Sequence, residues 1–183
     1  MRMEEGHRGG IRRYFENFAD STIGIQRQLA VVDFPFRQGL VELVEKCLRL
    51  HGKALQSGYQ PPLVIAHRDA GLGNFRMASD GQICLFDFEH ARWDNPVSDF
   101  VHLWLRLGGR EDLRSNADIV WGHMETRFAE QPWFSHVLKM CIAEKALGHV
   151  NHLLEHHDLR EESSIGDAVD RYGEVLSDLE EHL

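Results

Sequence analysis

The sequence predicts an α+β protein, predominantly helical, built around one small β-hairpin. Three observations predict it. From 37 to 57, and again from 97 to 181, apolar residues recur every three or four positions, the spacing that buries one face of a helix. Between 63 and 88 this gives way to short apolar and β-branched runs. Two of those runs, FRMA and QICLFDF, flank Ser79-Asp80-Gly81, and an Asp-Gly pair between such runs is a hairpin signal.

Residues 1–10 are polar and glycine-rich and predict a flexible N-terminus; 11–181 read as one folded body. From Ile11 the pattern is helical, with Tyr14, Phe15 and Phe18 able to share a face. Residues 22–32 can continue as helix, with β-branched Val31 and Val32 leaving the point open. Asp33-Phe34-Pro35 marks a break, because proline disfavours helix at the residue before it. Leu40, Leu43, Val44, Cys47, Leu48, Leu50 and Leu55 predict a helix over 37–57, ended by Ser57-Gly58 and Pro61-Pro62. LVIA (63–66) is short and apolar and predicts a buried strand. After Asn95-Pro96 the chain predicts helices over 97–108, 111–130, 133–158 and 164–181. The last carries the clearest stripe, Ile165, Ala168, Val169, Tyr172, Val175, Leu176 and Leu179, with Ser164 and Asp167 resembling a capping pair at its start.

Composition narrows the function classes. An apolar content of 43% and a charged content of 27% are ordinary for a soluble globular protein. No apolar run approaches the roughly 18–20 residues of a membrane span. MRMEEGHRGG lacks the apolar core of a secretory signal. Cys47, Cys84 and Cys141 are far apart and odd in number, which predicts buried thiols in a reducing cytoplasm rather than disulfides or a metal framework. A net charge of −9 and a pI near 5.7 argue against nucleic acid as the main partner. Sixteen arginines stand against four lysines, Lys46, Lys53, Lys139 and Lys145.

The candidate chemistry lies in HRDAGLGNF (67–75) and FDFEH (86–90). Phosphoryl transfer asks little covalent work of a protein; it needs cations on the phosphate oxygens and a carboxylate that orients the acceptor hydroxyl. Magnesium takes hard oxygen ligands and draws only one or two carboxylates from protein. Asp69, Asn74 and Asp87 can supply that set: a loop can project Asp69 and Asn74 toward one point, and the hairpin can return Asp87 to the same edge. His67 and Arg68 read as loop supports, the arginine pairing with a nearby acid and the histidine bonding backbone. Gly71 and Gly73 let the loop turn tightly.

These residues resemble the protein-kinase-like fold, in the branch of aminoglycoside phosphotransferases and choline kinases. That branch carries His-x-Asp, four residues, then Asn, and later Asp-Phe-Glu or Asp-Phe-Asp; here they stand as His67-Arg68-Asp69, Asn74 and Asp87-Phe88-Glu89. A further aspartate after an Asn-Pro turn matches Asp99 in NPVSDF. The motif evidence covers 63–100, and the flanking helices fit the C-terminal lobe of that fold. The resemblance implies an ATP-dependent kinase of a small-molecule hydroxyl, with Asp69 as catalytic base, Asn74 and Asp87 holding Mg2+, and Asp99 bracing the loop. A plainer reading, in which these polar residues only stabilise a turn and a hairpin, leaves the agreement of three motifs in order and spacing unexplained.

The family's N-terminal lobe brings a glycine-rich loop and a strand lysine to ATP, and nothing in 1–62 reads that way. Lys46 and Lys53 fall in a helical pattern. The expectation is therefore a C-terminal lobe alone, from one of three origins: a truncated kinase, a kinase completed in trans by another chain or a homodimer, or a non-catalytic binding or regulatory module. Weak or no turnover by the isolated chain follows. The acceptor is a small molecule of unknown identity; Asp112, Glu125 and Glu155 lie on helices that build such pockets in the family, and none is assigned. His149, His152 and His156 share helical spacing, yet without an accompanying Cys or Glu framework they read as a partly exposed face rather than a zinc site. Trp104, Trp121 and Trp133 read as packing, with Trp93 the one that follows the metal motif directly.

Overall fold

The computed structural model describes residues 21–27, 29, 36–58, 62–155 and 162–182. The expected flexible terminus at 1–10, the helix from Ile11 and the break at Asp33-Phe34-Pro35 lie outside these residues, as does His156. The described chain falls into two compact units, one of 62–138 and the other of 21–58 with 139–182. Helix dominates both, and the strands belong to the first, so the α+β, mostly helical expectation holds.

In the second unit, residues 21–27 are helical, followed by α1 (Arg37–Gln56). Two long helices, α4 (Phe134–Glu155) and α5 (Glu162–His182), follow later in the chain, the unit boundary falling within α4. Helix α5 begins two residues earlier than its capping motif suggests, so Ser164 lies inside it. The core is built as the periodicity requires: Leu40, Leu43, Cys47 and Leu50 of α1 are buried, as are Ile142 and Leu147 of α4 and Ile165 and Leu176 of α5. Helices α1 and α5 approach closely at Gly39, where an added Cβ would stand 3.2 Å from Val169 Cγ1. Two turns along, Lys46 Nζ donates to the Gly173 carbonyl at 3.0 Å and to Ser177 Oγ. Lys46 thus serves helix docking. His149 Nδ1 bonds the Tyr172 hydroxyl at 2.7 Å, which gives that histidine a packing role.

The first unit holds two two-stranded antiparallel sheets. Strand β1 (Val64–Ala66) pairs with β4 (Arg92–Asp94), and β2 (Phe75–Met77) pairs with β3 (Ile83–Leu85). The β2–β3 pair is the expected hairpin. Gly81 takes φ +83° in its turn, a left-handed conformation that suits glycine, and Asp80 Oδ1 accepts the Gln82 N–H at 3.0 Å. LVIA forms the expected strand, but it is not buried. Ile65 is 68% exposed and its cross-strand partner Trp93 is 47% exposed, because a three-residue strand with a single neighbour covers only one end, at Ala66. Strand β4 is absent from the expectation, since three residues reading Arg-Trp-Asp carry no alternation to detect.

Helices α2 (Ser98–Gly108) and α3 (Arg114–Phe128) complete the unit. Trp104 packs on Trp121 with ring centroids 4.9 Å apart, and Phe128 meets Phe100, Trp133 and Phe134 within 6.3 Å. Three of the four tryptophans therefore pack as expected; Trp93 does not.

Burial pushes the Cys47 thiol up to about 12, outweighing the opposite pull of Lys46. With Cys47 and Cys141 buried and Cys84 half-buried, a thiol reagent should label Cys84 promptly and the other two only on unfolding, as counted by Ellman absorbance. Burial also lowers the pKa of His51 below its ordinary 6.5. The unfolded chain then takes up that proton first, so stability is full above 6.5 and is lost as pH falls below it. Urea unfolding at about pH 7.5 and about pH 5.5 should show a smaller acid-induced loss in His51→Gln than in the wild type.

Candidate active site

The loop that follows β1 is held at its backbone. Asp99, in the first turn of α2, accepts the His67 N–H at Oδ2, 2.8 Å, and the Arg68 N–H at Oδ1, 2.7 Å. One carboxylate thus satisfies two consecutive amides of a segment that has left its strand, and such charge-assisted bonds are among the stronger ones in proteins. Arg68 sits at φ +70°, one of two non-glycine residues with positive φ among the described residues. That conformation costs energy for a residue with a long side chain and persists only where its surroundings enforce it.

Asp94 and Asp99 provide the enforcement. The Arg68 guanidinium reaches Asp94 Oδ2 at 2.5 Å, in a pair whose side chains are only 12% and 5% exposed. Asp94 is fully engaged: Oδ1 accepts the Asn95 N–H at 2.7 Å and Asn95 Nδ2 at 3.0 Å, and Oδ2 also accepts the Ser98 hydroxyl at 3.1 Å. Asn95 Oδ1 in turn accepts the Val97 N–H at 3.1 Å, turning the chain through Pro96 into α2. His67, 2% exposed, makes the other crosslink. Its Nε2–H donates to the Phe86 carbonyl at 2.6 Å, while Nδ1 accepts the Asp69 N–H at 3.3 Å. This pattern selects the Nε2–H tautomer, and the ring also packs edge-on against Phe88, 4.6 Å away.

With its ends held, the loop brings Asp69 and Asn74 together. Asn74 Nδ2 donates to the Asp69 carbonyl at 2.8 Å and to Asp69 Oδ2 at 3.0 Å. Between them, Gly71 N–H bonds the Asp69 carbonyl at 2.8 Å, and a single 3-10 turn (Leu72–Asn74) closes on Gly71 at 2.9 Å. Asn74 then opens the hairpin: its carbonyl accepts the Phe86 N–H at 2.9 Å, one step beyond the Phe75–Leu85 pair. Asp87 is the next residue, so the hairpin returns it beside Asn74 at the backbone level. Asp87 is the second residue with positive φ, at 63°, and it starts the 3-10 turn Phe88–His90. Asp87 is an exposed residue.

All six residues expected at the site thus lie on the loop, the hairpin end and the first turn of α2. Sequence reasoning missed Asp94, Asn95, Ser98 and His102. His102 Nε2 lies 3.3 Å from Asp69 Oδ1. A signal for it existed: His102 follows Asp99 by three positions, so both share one face of α2.

Asn74 spends its Nδ2 on Asp69, which leaves Oδ1 as its oxygen donor. With the Asp87 carboxylate this makes two hard oxygen ligands, the number magnesium commonly takes from protein when substrate phosphates and water complete the octahedron. Among the described residues no group of three or more His, Cys, Asp or Glu is placed to hold a metal ion, a requirement that suits zinc better than magnesium. The donor set fits a magnesium ion.

Residues 10–133, more than half of the chain, match the phosphotransferase enzyme family (APH), and the chain belongs to that family. No curated protein and no solved structure matches the chain. No helix among the described residues is long and apolar enough to cross a membrane.

Replacing Asp99 with Asn leaves one oxygen where two amides need acceptors. Asp99→Asn should cost about 1–3 kcal/mol in urea unfolding and speed hydrogen exchange of the His67 and Arg68 amides. Asp94→Ala removes the carboxylate that the shielded Arg68 guanidinium meets and should cost more, about 3 kcal/mol.

Proposed function

We propose that this protein transfers the γ-phosphoryl group of ATP to a hydroxyl of a small molecule, using the C-terminal lobe of a protein-kinase-like fold. The observation that carries the reading is the Asp69–Asn74 pair, 3.0 Å apart, with Asp87 returned beside it by the hairpin. Family membership supports the same class of reaction.

Asp69 accepts the proton of the acceptor hydroxyl as that oxygen attacks the γ-phosphorus; the new O–P bond forms while the bond to the β-bridging oxygen breaks and ADP leaves. Its carboxylate is 40% exposed, open to an incoming molecule on one side and tethered by Asn74 on the other. Asn74 Oδ1 and Asp87 would hold Mg2+. When bound, that ion neutralises charge on the phosphate oxygens. Arg68 stays out of the chemistry, spent on Asp94. Cys47, Cys84 and Cys141 form no disulfide, which supports a cytoplasmic setting. Ile65, Met77, Ile83 and Phe86, all exposed apolar residues, support a further lobe or a second copy covering this side when nucleotide is bound.

Calorimetry should detect magnesium-dependent ATP binding by the wild type and none by Asp87→Ala. Where ADP release accompanies a panel of hydroxyl acceptors, Asp69→Asn should lower its rate by about 10²–10⁴-fold while leaving nucleotide binding in place. Equal binding by wild type and Asp87→Ala, or full turnover by Asp69→Asn, would sink the assignment.

A further inference from the structure

We infer that His102 is a positioning residue for Asp69, holding the carboxylate oxygen that Asn74 leaves free and so confining the acid to one rotamer. The inference rests on the reading of Asp69 as the base.

Asp69 stands on a loop with its side chain 40% exposed, and exposed side chains exchange rotamers on the picosecond-to-nanosecond scale. A general base gains from being held, since misplacement by about 1 Å can cost 10²-fold in rate. The hydrogen bond from Asn74 to Oδ2 restrains one oxygen; with that point alone fixed, the carboxylate can still pivot. Oδ1 faces His102 Nε2 at 3.3 Å. The imidazole is 14% exposed and its Nε2 is shielded from solvent, so bulk water does not compete for that nitrogen. The approach lies off the line of a good hydrogen bond, and His102 holds Oδ1 once rotation of a side chain brings the two into line.

The two restraints leave the base competent. A carboxylate offers about four acceptor positions, of which Asn74 and His102 take two. His102 rides on the same face of α2 as Asp99, three residues before it. A single helical surface therefore sets the backbone of the loop through Asp99 and the side chain of its acid through His102. The loop itself supplies only Asn74.

The test is the rotamer state of Asp69, read from three-bond couplings to its β-protons by NMR in the unliganded protein. Wild type should show one dominant χ1 rotamer. His102→Phe keeps a ring in the same space without a donor, and it should give averaged couplings; His102→Gln, which retains a donor, should restore the single rotamer. Unchanged couplings in His102→Phe would overturn the inference. If that variant does not fold, His102→Ala serves the same comparison, folding being checked by circular dichroism. Magnesium-dependent hydrolysis of ATP, with water as acceptor, gives the second readout. His102→Phe should lower kcat about 10-fold with the KM for ATP unchanged. Nucleotide binding and turnover bear on the kinase reading, whereas the couplings, read without nucleotide, decide the His102–Asp69 contact, so the two can fail separately.

Discussion

The carboxylate of Asp99 accepts the N–H groups of His67 and Arg68, residues 32 and 31 positions away in sequence, and the candidate site depends on that crosslink. A loop leaving a strand carries amides that have lost their ladder partners, and such groups are costly when shielded from water. Asp99 satisfies two at once from the first turn of a helix. It thereby makes affordable the left-handed backbone at Arg68, which swings Asp69 toward Asn74 while sending the arginine the other way, to Asp94.

Arg68 and Asp94 form the second layer of the same device. Their pair is shielded, and a shielded ion pair is stabilising only when its remaining donors and acceptors are satisfied. Asp94 meets that condition through Asn95 and Ser98. Those two residues also turn the chain into α2, which carries Asp99. The loop, the turn and the helix start are therefore one connected network, and each polar residue in it answers a group that another has left exposed. His67 ties this network to the hairpin through the Phe86 carbonyl, next to Asp87.

Each of the two units solves its own packing problem. In the first unit the aromatic cluster of Phe100, Phe128, Trp133 and Phe134 anchors α2, so that Asp99 and His102 are presented from a fixed helix. In the second, α1 and α5 meet at Gly39 and are tied by Lys46. The β-elements, by contrast, are short and leave Ile65, Met77 and Ile83 exposed.

Much of this was legible in order along the chain. Helical stripes survive any tertiary arrangement because burying one face requires a fixed period, and the Asp80-Gly81 turn needs a backbone that glycine adopts freely. Motif spacing pointed to Asp69, Asn74 and Asp87 and the family resemblance to Asp99, residues that the structure gathers on the loop, the hairpin end and the first turn of α2. Other features were decided only in three dimensions. LVIA has the composition of a buried strand, yet the exposure of Ile65 depends on how many strands lie beside it. The partner of Arg68 could be any acid until the Asn95–Pro96 turn set Asp94 within reach. His102 carries no motif, and its approach to Asp69 exists because α2 faces the loop. Local periodicity and turn chemistry are properties of neighbouring residues, so the sequence determined the elements and the chemical inventory. Which side chains met was left to contacts between distant segments, and only the tertiary structure could decide them.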